Sequence, residues 1–301
     1  MPEASRGLYA WCKLLRVPNL FTVPGDAVAG YLLASGGSFG AEVFHACGAV
    51  LAIYAGGLLL NDYFDREEDA RDRPDRPIPS GAVKPQAVLL AGAAALPAGV
   101  VLASLGGVRA GLIAAGVALV ALLYDAALKK LPVIGPVMMG ICRGGSVMVG
   151  AGLAGGENYA AALPAAGIVA LYTAALTWNA AGEVSGKKPG AAAFAPGVVL
   201  LAGWALVCRP GLVERAFSVA VAVVLGLAVA EASWAALRVL GRNTAVPAFI
   251  GRLVRVMITV QAAMALWALP AARWQVVGAV IGAFATLRLG SEVFGRRFYA
   301  S

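Results

Sequence analysis

The sequence predicts an all-α protein that crosses a membrane many times, and three features lead to this prediction. Of the 301 residues, 60% are hydrophobic and only 13% are charged, whereas roughly a quarter of the residues in a soluble domain are charged. Apolar stretches recur along the whole chain at about the 17–25 residues that a helix needs to cross a bilayer. Glycine is abundant at 38 residues, as expected for membrane helices that pack closely. No segment has the alternation typical of a membrane β-barrel.

The apolar stretches predict a polytopic transmembrane helical bundle of nine or ten helices. No low-complexity linker divides the chain, so we expect a single membrane domain over residues 1–301. The last two spans are the weakest, because Arg252 and Arg255 interrupt one of them and the other is short. The candidate spans cover residues 17–36, 42–60, 86–106, 109–127, 133–153, 159–179, 191–208, 213–237, 248–269 and 274–290.

The basic residues predict the orientation of the bundle. With the N-terminus inside, 17 of the 24 Lys and Arg residues fall at the inside ends of the spans and only four fall outside. Cytoplasmic loops carry such an excess of Lys and Arg. We therefore expect a multi-pass protein of the inner (cytoplasmic) membrane with its N-terminus and polar loops in the cytoplasm. Glu3 and the absence of an A-x-A site after a short apolar run count against a cleaved signal peptide.

A dense group of acids follows the second span, in Asn61-Asp62-Tyr63-Phe64-Asp65-Arg66-Glu67-Glu68-Asp69. Carboxylates at this density repel one another unless a cation lies among them. If the helix continues past the membrane, its period places Asn61, Asp62, Asp65 and Asp69 in one stripe. Such oxygen ligands suit Mg²⁺, and Mg²⁺ with arginines nearby is typical of a phosphate-bearing substrate. The alternative is a solvated helix end, although an acid directly after three leucines is costly to bury.

A proline-rich loop carries two arginines just after the acids. The three prolines of Arg73-Pro74-Asp75-Arg76-Pro77-Ile78-Pro79 exclude a regular helix and predict a stiff loop. Arg73 and Arg76 could fold back and bind phosphate with their planar guanidinium groups. They could equally reflect only the excess of positive charge on the inside.

Several polar residues lie within the apolar spans, where they mark functional sites more often than elsewhere. Arg143 lies in the middle of its span, and we expect it to face a ligand or a carboxylate such as Asp125. Asp26 lies in the first span, and Asn19 precedes it by about two turns. These two are expected to line an acceptor pocket, with Asp26 as one candidate base. Tyr54 lies seven residues before Asn61, on the same helix face.

A weaker echo of the acidic region follows the sixth span. Asn179 ends that span, and a polar segment with Glu183, Lys187 and Lys188 follows it. Two four-helix units of like topology, each contributing one polar loop to a central cavity, would explain the echo. A further intramembrane acid, Glu231, is expected to pair with an arginine such as Arg252.

The acidic pattern closely resembles the first aspartate-rich motif of the UbiA superfamily of intramembrane prenyltransferases. The likeness covers Asn61-Asp62-x-x-Asp65-x-x-x-Asp69 and then Arg73…Arg76-Pro77-Ile78…Gly81. The segment Tyr124…Leu128-Lys129 is similar to the Tyr-Lys segment of that family. The resemblance implies about nine helices around a cavity open to lipid. It also implies Mg²⁺-dependent transfer of a prenyl group from an isoprenoid diphosphate to a small-molecule acceptor, often an aromatic ring.

The resemblance and the residues together give a set of expected site residues. Asp62 and Asp65 are expected to be catalytic, beside Asp26. The expected Mg²⁺ ligands are Asn61, Asp62, Asp65, Asp69 and Glu183. The expected substrate-binding residues are Asn19, Tyr54, Arg73, Arg76, Tyr124, Lys129, Arg143, Asn179, Lys187 and Lys188. The expected partners are the diphosphate, the acceptor and the bilayer, but not nucleic acid.

The chain departs from the family at its second motif. Asn179 and Glu183 stand where the family usually has two aspartates, so a second Mg²⁺ would be held more weakly or differently. The pattern Gly182-Glu183-x-x-Gly186 is similar to the EboC-like branch of the superfamily. This departure keeps open a second hypothesis, a membrane carrier for a lipid or pathway precursor. An inactive scaffold is disfavoured because the first motif is intact.

Overall fold

The computed structural model describes residues 3–155, 157–184, 189–207, 218–241, 244–269 and 274–298, and every regular element in these ranges is helical. The predicted all-α fold is therefore confirmed. The helices are α1 (Glu3–Leu14), α2 (Val17–Leu20), α3 (Pro24–Ala34), α4 (Glu42–Phe64), α5 (Arg66–Asp72), α6 (Pro85–Ser104), α7 (Val108–Leu123), α8 (Ile134–Leu153), α9 (Leu163–Val184), α10 (Ala195–Val207), α11 (Ser218–Leu240), α12 (Val246–Ala268) and α13 (Trp274–Phe298). Tyr124–Leu128 extends α7 as a π-helical turn, and the segments Glu157–Ala162 and Gly190–Phe194 are 3₁₀ turns.

Within these ranges, eight helical segments are long and apolar enough to cross a membrane. In the described residues, each of the ten predicted spans is largely helical, but the first is divided between α2 and α3. The lengths thus support a polytopic bundle. The orientation deduced from the basic residues and the single domain over the whole chain stay predictions.

The prediction of one continuous helix over residues 17–36 was wrong. The chain leaves α2 at Phe21 and starts α3 at Pro24, because proline has no amide hydrogen and its ring clashes with the preceding turn. The break leaves the carbonyl oxygen of Thr22 available to other parts of the bundle. It accepts hydrogen bonds from Arg143 (2.9 Å) and Gln261 (2.7 Å).

The helices α3 and α8 pack almost backbone to backbone in the interior. A methyl group on Gly150 of α8 would overlap the carbonyl oxygen of Ala27, and one on Gly30 of α3 would overlap that of Val147. Small residues allow this approach in a membrane, where apolar burial gives no driving force between helices. The contact places Arg143, on the same helix as Gly150, directly beside α3.

Candidate functional site

The acids predicted to share one helix face lie at the joint between α4 and α5. The amide N–H of Asp65 donates to the carbonyl oxygen of Asn61 (3.0 Å), and that of Asp69 donates to the carbonyl oxygen of Asp65 (2.8 Å). Helical hydrogen bonding therefore continues across the joint, and the acids keep the register of one helix.

Two arginines, one before α2 and one in the loop after α5, neutralise Asp62 and Asp69, which are both buried. Arg16 Nη2 lies 3.0 Å from Asp62 Oδ1. Arg76 Nη1 lies 2.8 Å from Asp69 Oδ2 and 3.5 Å from Asp62 Oδ1, between the two carboxylates. These contacts offset the repulsion that buried like charges would otherwise suffer.

Arg16 is a site residue that the sequence analysis missed. In the described part of the chain it is the one non-glycine residue with positive φ, at 45°. That left-handed conformation costs on the order of 1–3 kcal/mol and is found most often where function requires it. Here it turns the chain between α1 and α2 so that the side chain reaches Asp62. No pattern in the sequence signals this conformation.

Arg76 is held in place by the proline-rich loop. Ile78 and Val83 of this loop are buried in a small cluster with Leu14 and Leu59, from α1 and α4. The loop is thus anchored against both α1 and α4. Of the two loop arginines, Arg76 contacts the acids, whereas the side chain of Arg73 is exposed.

Lys129 reaches the other end of the acidic stripe. Its Nζ lies 2.6 Å from Asp65 Oδ1 and 3.4 Å from Asn61 Oδ1, and Asn61 Nδ2 donates to Asp65 Oδ2 (3.1 Å). The π-helical turn that starts at Tyr124 positions this lysine, whose amide N–H donates to the Tyr124 carbonyl (3.0 Å). Such turns are often found at functional sites.

Asp125, in the same π-helical turn, is a buried acid beside this group. Its Oδ2 would lie 3.9 Å from a methyl group on Gly57, one turn before Asn61. Charge interactions couple it to Lys129, Asp65 and Arg16. Asp125 was expected only as a partner for Arg143, and that expectation was wrong, since Arg143 pairs with Asp26.

The remaining acids of the motif point away from the site. Lys130 Nζ lies 2.6 Å from Glu68 Oε2, and both side chains are largely exposed. The hydrogen bond with Lys130 lowers the pKa of Glu68 and correspondingly raises the pKa of the lysine. Glu67 pairs with its neighbour Arg66.

The acidic stripe fits Mg²⁺ in the chemistry of its donors. Among the described residues, no three His, Cys, Asp or Glu side chains form a complete protein site for a metal. Mg²⁺ does not require one, because it usually binds one or two carboxylates together with water and substrate phosphates. Arg76 Nη1 already marks a position between Asp62 and Asp69 where positive charge is stabilised by both.

A second polar group lies deeper in the bundle, around the break between α2 and α3. Arg143 Nη2 lies 3.0 Å from Asp26 Oδ2, and Gln261 Nε2 donates to Asp26 Oδ1 (2.6 Å). All three side chains are buried. Gln261 was missed, although a lone glutamine in an apolar span is a signal of the same kind as Arg143.

This interior cluster is only partly satisfied. Arg143 Nη2 lies close to Asp26 Oδ2, but the contact does not have the geometry of a hydrogen bond. Asp26 Oδ2, Arg143 Nε and Gln261 Oε1 have no hydrogen-bond partner in the part of the chain that the structure describes. Buried polar atoms rarely stay unpaired without a ligand, a water or a strained state to account for them.

Of the other predicted residues, Tyr54 lies beside the interior cluster, and Asn19 contacts Thr22 through its backbone carbonyl. The ring of Tyr54 lies 5.8 Å from the guanidinium carbon of Arg143. The carbonyl oxygen of Asn19 accepts hydrogen bonds from the backbone and the hydroxyl of Thr22. Since Tyr54 precedes Asn61 by seven residues, the cluster lies about 10 Å along α4 from the acidic stripe.

The second polar region is only partly described. The Asn179 side chain is buried, and its Nδ2 donates to the carbonyl oxygens of Ala175 and Ala192, both at 2.9 Å. It therefore ties α9 to the 3₁₀ turn before α10. Lys187, Lys188 and the side chain of Glu183 lie outside the described residues.

Arg143 pairs with a carboxylate and Glu231 with an arginine, as expected, but the partners named as examples were wrong. Long side chains in a bundle find partners that sequence spacing does not reveal. Arg143 pairs with Asp26 rather than Asp125. Glu231 pairs with Arg288, whose Nη2 lies 2.7 Å and 2.8 Å from its two oxygens, and not with Arg252.

The buried pair gives the first testable prediction. Asp26→Leu or Arg143→Met alone should lower stability by about 3–5 kcal/mol, because each leaves one buried charge without its partner. The double variant should recover most of that loss. Thermal unfolding in detergent checks this, and a double variant less stable than both single variants would contradict it.

Comparison with known proteins gives one family. The family model described as the UbiA prenyltransferase family matches residues 26–245. A digeranylgeranylglyceryl phosphate synthase from Methanothrix thermoacetophila is 39% identical over 34% of this chain and 38% of its own length. Another, from Natronomonas pharaonis, is 34% identical over 52% of this chain and 55% of its own length. The chain thus matches about half or less of these curated relatives.

Solved structures show the same fold. A UbiA homolog from Aeropyrum pernix K1 has a TM-score of 0.63 at 22% identity, covering 81% of this chain and 96% of its own. A UbiA homolog from Archaeoglobus fulgidus, bound to GPP and Mg²⁺, has a TM-score of 0.60 at 13% identity. It covers 89% of this chain and 99% of its own.

Proposed function

Because the chain belongs to the UbiA prenyltransferase family, we propose that it transfers a prenyl group from an isoprenoid diphosphate to an acceptor within the membrane. The observation that carries the proposal is the charge-matched group at the joint of α4 and α5. Asp62, Asp65 and Asp69 contact Arg16, Arg76 and Lys129, which come from three other parts of the chain. A metal–diphosphate complex carries both positive and negative charge, so its cation can pair with the carboxylates and its phosphate oxygens with the basic side chains.

The residues that would hold Mg²⁺ are Asp62 and Asp69, with Asp65 and Asn61 beside them. When bound, Mg²⁺ supplies positive charge that stabilises the departing diphosphate. The basic residues have a matching role. Arg16, Arg76 and Lys129 would turn their donors to diphosphate oxygens in the substrate complex, where charge-assisted hydrogen bonds are strong. They then stabilise the negative charge that develops in the transition state.

The reaction breaks the bond between the allylic carbon and the diphosphate oxygen, and the electron pair leaves with diphosphate. The acceptor attacks that carbon and loses a proton to a base. The apolar interior excludes water from the carbocation-like centre. Asp26 stays one candidate for the base, because its Oδ2 has no directed hydrogen bond among the described residues.

For the acceptor we propose a phosphorylated glycerol lipid that reacts through its hydroxyl group, instead of the aromatic ring first expected. The two relatives reported above, named for a glyceryl phosphate product, support this choice. So does Arg73, an exposed arginine that has no acidic partner in the described part of the chain and lies three residues from Arg76. An aromatic acceptor is the alternative.

A carrier for a lipid or precursor is the second candidate function. The interior cluster around Asp26 and Arg143 favours it, because buried charged groups with unsatisfied atoms also occur along transport paths. A carrier would not need the diphosphate to be cleaved. Release of diphosphate therefore separates the two functions.

Substitution of Asp65 tests the enzyme directly. Asp65→Ala should lower diphosphate release from geranylgeranyl diphosphate by roughly a hundredfold or more, because the charge arrangement around the leaving group is lost. Glu68→Ala is the matched control, since that acid points to solvent. Chelation of Mg²⁺ should reproduce the Asp65 result in the unaltered protein. Equal rates in Asp65→Ala and the control would exclude the proposed role of the stripe.

The acceptor is tested with Arg73→Gln in reconstituted vesicles. The variant should raise KM for a phosphorylated glycerol lipid about tenfold, as expected for one lost phosphate contact. KM for the prenyl diphosphate should stay unchanged. Product identification by mass spectrometry completes the test. A product formed with a hydroxybenzoate and not with the glycerol lipid would support the aromatic acceptor instead.

A further inference from the structure

The helix α11 has an apolar face that the bundle leaves uncovered. Val219, Val223, Leu227 and Trp234 are 71%, 55%, 61% and 45% exposed. Their spacing of four, four and seven residues places them on one face of the helix, over a length of about 22 Å. In a helix that crosses a membrane, such a face contacts lipid or another protein.

Two arginines meet at one end of this face. The guanidinium carbon of Arg252, from α12, lies 4.3 Å from the ring centre of Trp234, and that of Arg238 lies 5.0 Å from it. The two guanidinium carbons are therefore at most 9.3 Å apart, the total of these distances. Two guanidinium groups within this distance can donate hydrogen bonds to the oxygens of one phosphate group.

Neither arginine has a carboxylate partner among the described residues. Both make only ring contacts there. Glu231, one turn before Trp234, is already paired with Arg288, whose Nη2 contacts both of its carboxylate oxygens. Two positive charges on one indole ring repel each other, and an anion between them would remove that repulsion.

We propose that this corner binds the phosphate of an anionic phospholipid, whose acyl chain lies along the exposed face of α11. Tryptophan favours the boundary between the lipid chains and water, and arginine forms paired hydrogen bonds with phosphate. The apolar face below Trp234 is long enough for an acyl chain. A soluble anion would not need that face. None of the residues at this corner belongs to the acidic stripe or to the interior cluster.

Native mass spectrometry of protein extracted from vesicles of phosphatidylcholine with a minor share of phosphatidylglycerol tests the proposal. The unaltered protein should retain one more phosphatidylglycerol than Arg238→Gln/Arg252→Gln. The affinity should fall roughly thirtyfold for the loss of two basic contacts at the membrane surface. Trp234→Leu keeps both charges and should also lose the bound lipid.

The matched control is Lys84→Gln/Arg296→Gln, which removes two exposed basic residues that have no aromatic partner among the described residues, and it should retain the lipid. Thermal unfolding first establishes that every variant is folded. Retention equal to the unaltered protein in Arg238→Gln/Arg252→Gln would overturn the proposal. Displacement of the lipid by inorganic phosphate at matched concentration would also overturn it, in favour of a soluble anion. Loss of a dimer in Arg238→Gln/Arg252→Gln without loss of the lipid would also overturn the proposal, in favour of a protein partner. The assay needs no prenyl transfer, so its outcome is independent of the proposed function.

Discussion

The mutual neutralisation of acids and bases at the end of α4 is the interaction on which the rest of the structure depends. Asp62, near the end of the apolar helix α4, and Asp69, in α5, are both buried, where unpaired charges would cost several kcal/mol each. Their partners, Arg16 and Arg76, come from segments with unusual backbones: a left-handed residue and a proline-rich loop. Lys129 depends in the same way on the π-helical turn before it. These local irregularities share one consequence, which is to bring basic side chains to the same short stretch of acids.

The parts of the fold that follow from local rules could be predicted from the sequence. The spans were found because their length and composition are set by the bilayer, and the stripe of Asn61, Asp62, Asp65 and Asp69 was found because helical spacing is local. The break at Pro24 was visible in principle, because proline seldom continues a helix. The prediction nevertheless ran a helix through it, since the apolar composition does not change there.

The partners of the charged residues could not be predicted, because they depend on how the helices pack. Arg143 finds Asp26 because glycines let α8 approach α3 closely, and Glu231 finds Arg288 across the bundle. Asn179 is a related case. Its amide donates to two backbone carbonyl oxygens, whereas an ionised aspartate would place a repelling oxygen there. The departure from the usual aspartate thus has a structural reason that the sequence alone does not reveal.

In the substrate complex, Arg16, Arg76 and Lys129 would exchange their carboxylate partners for diphosphate oxygens. Calorimetric titration of a non-reactive prenyl diphosphate analogue, with and without Mg²⁺, tests this exchange most directly on the unaltered protein and on Lys129→Met. Tight binding should require Mg²⁺ and should weaken about tenfold or more in the variant. Equal affinity without Mg²⁺, or an unchanged affinity in Lys129→Met, would contradict the account.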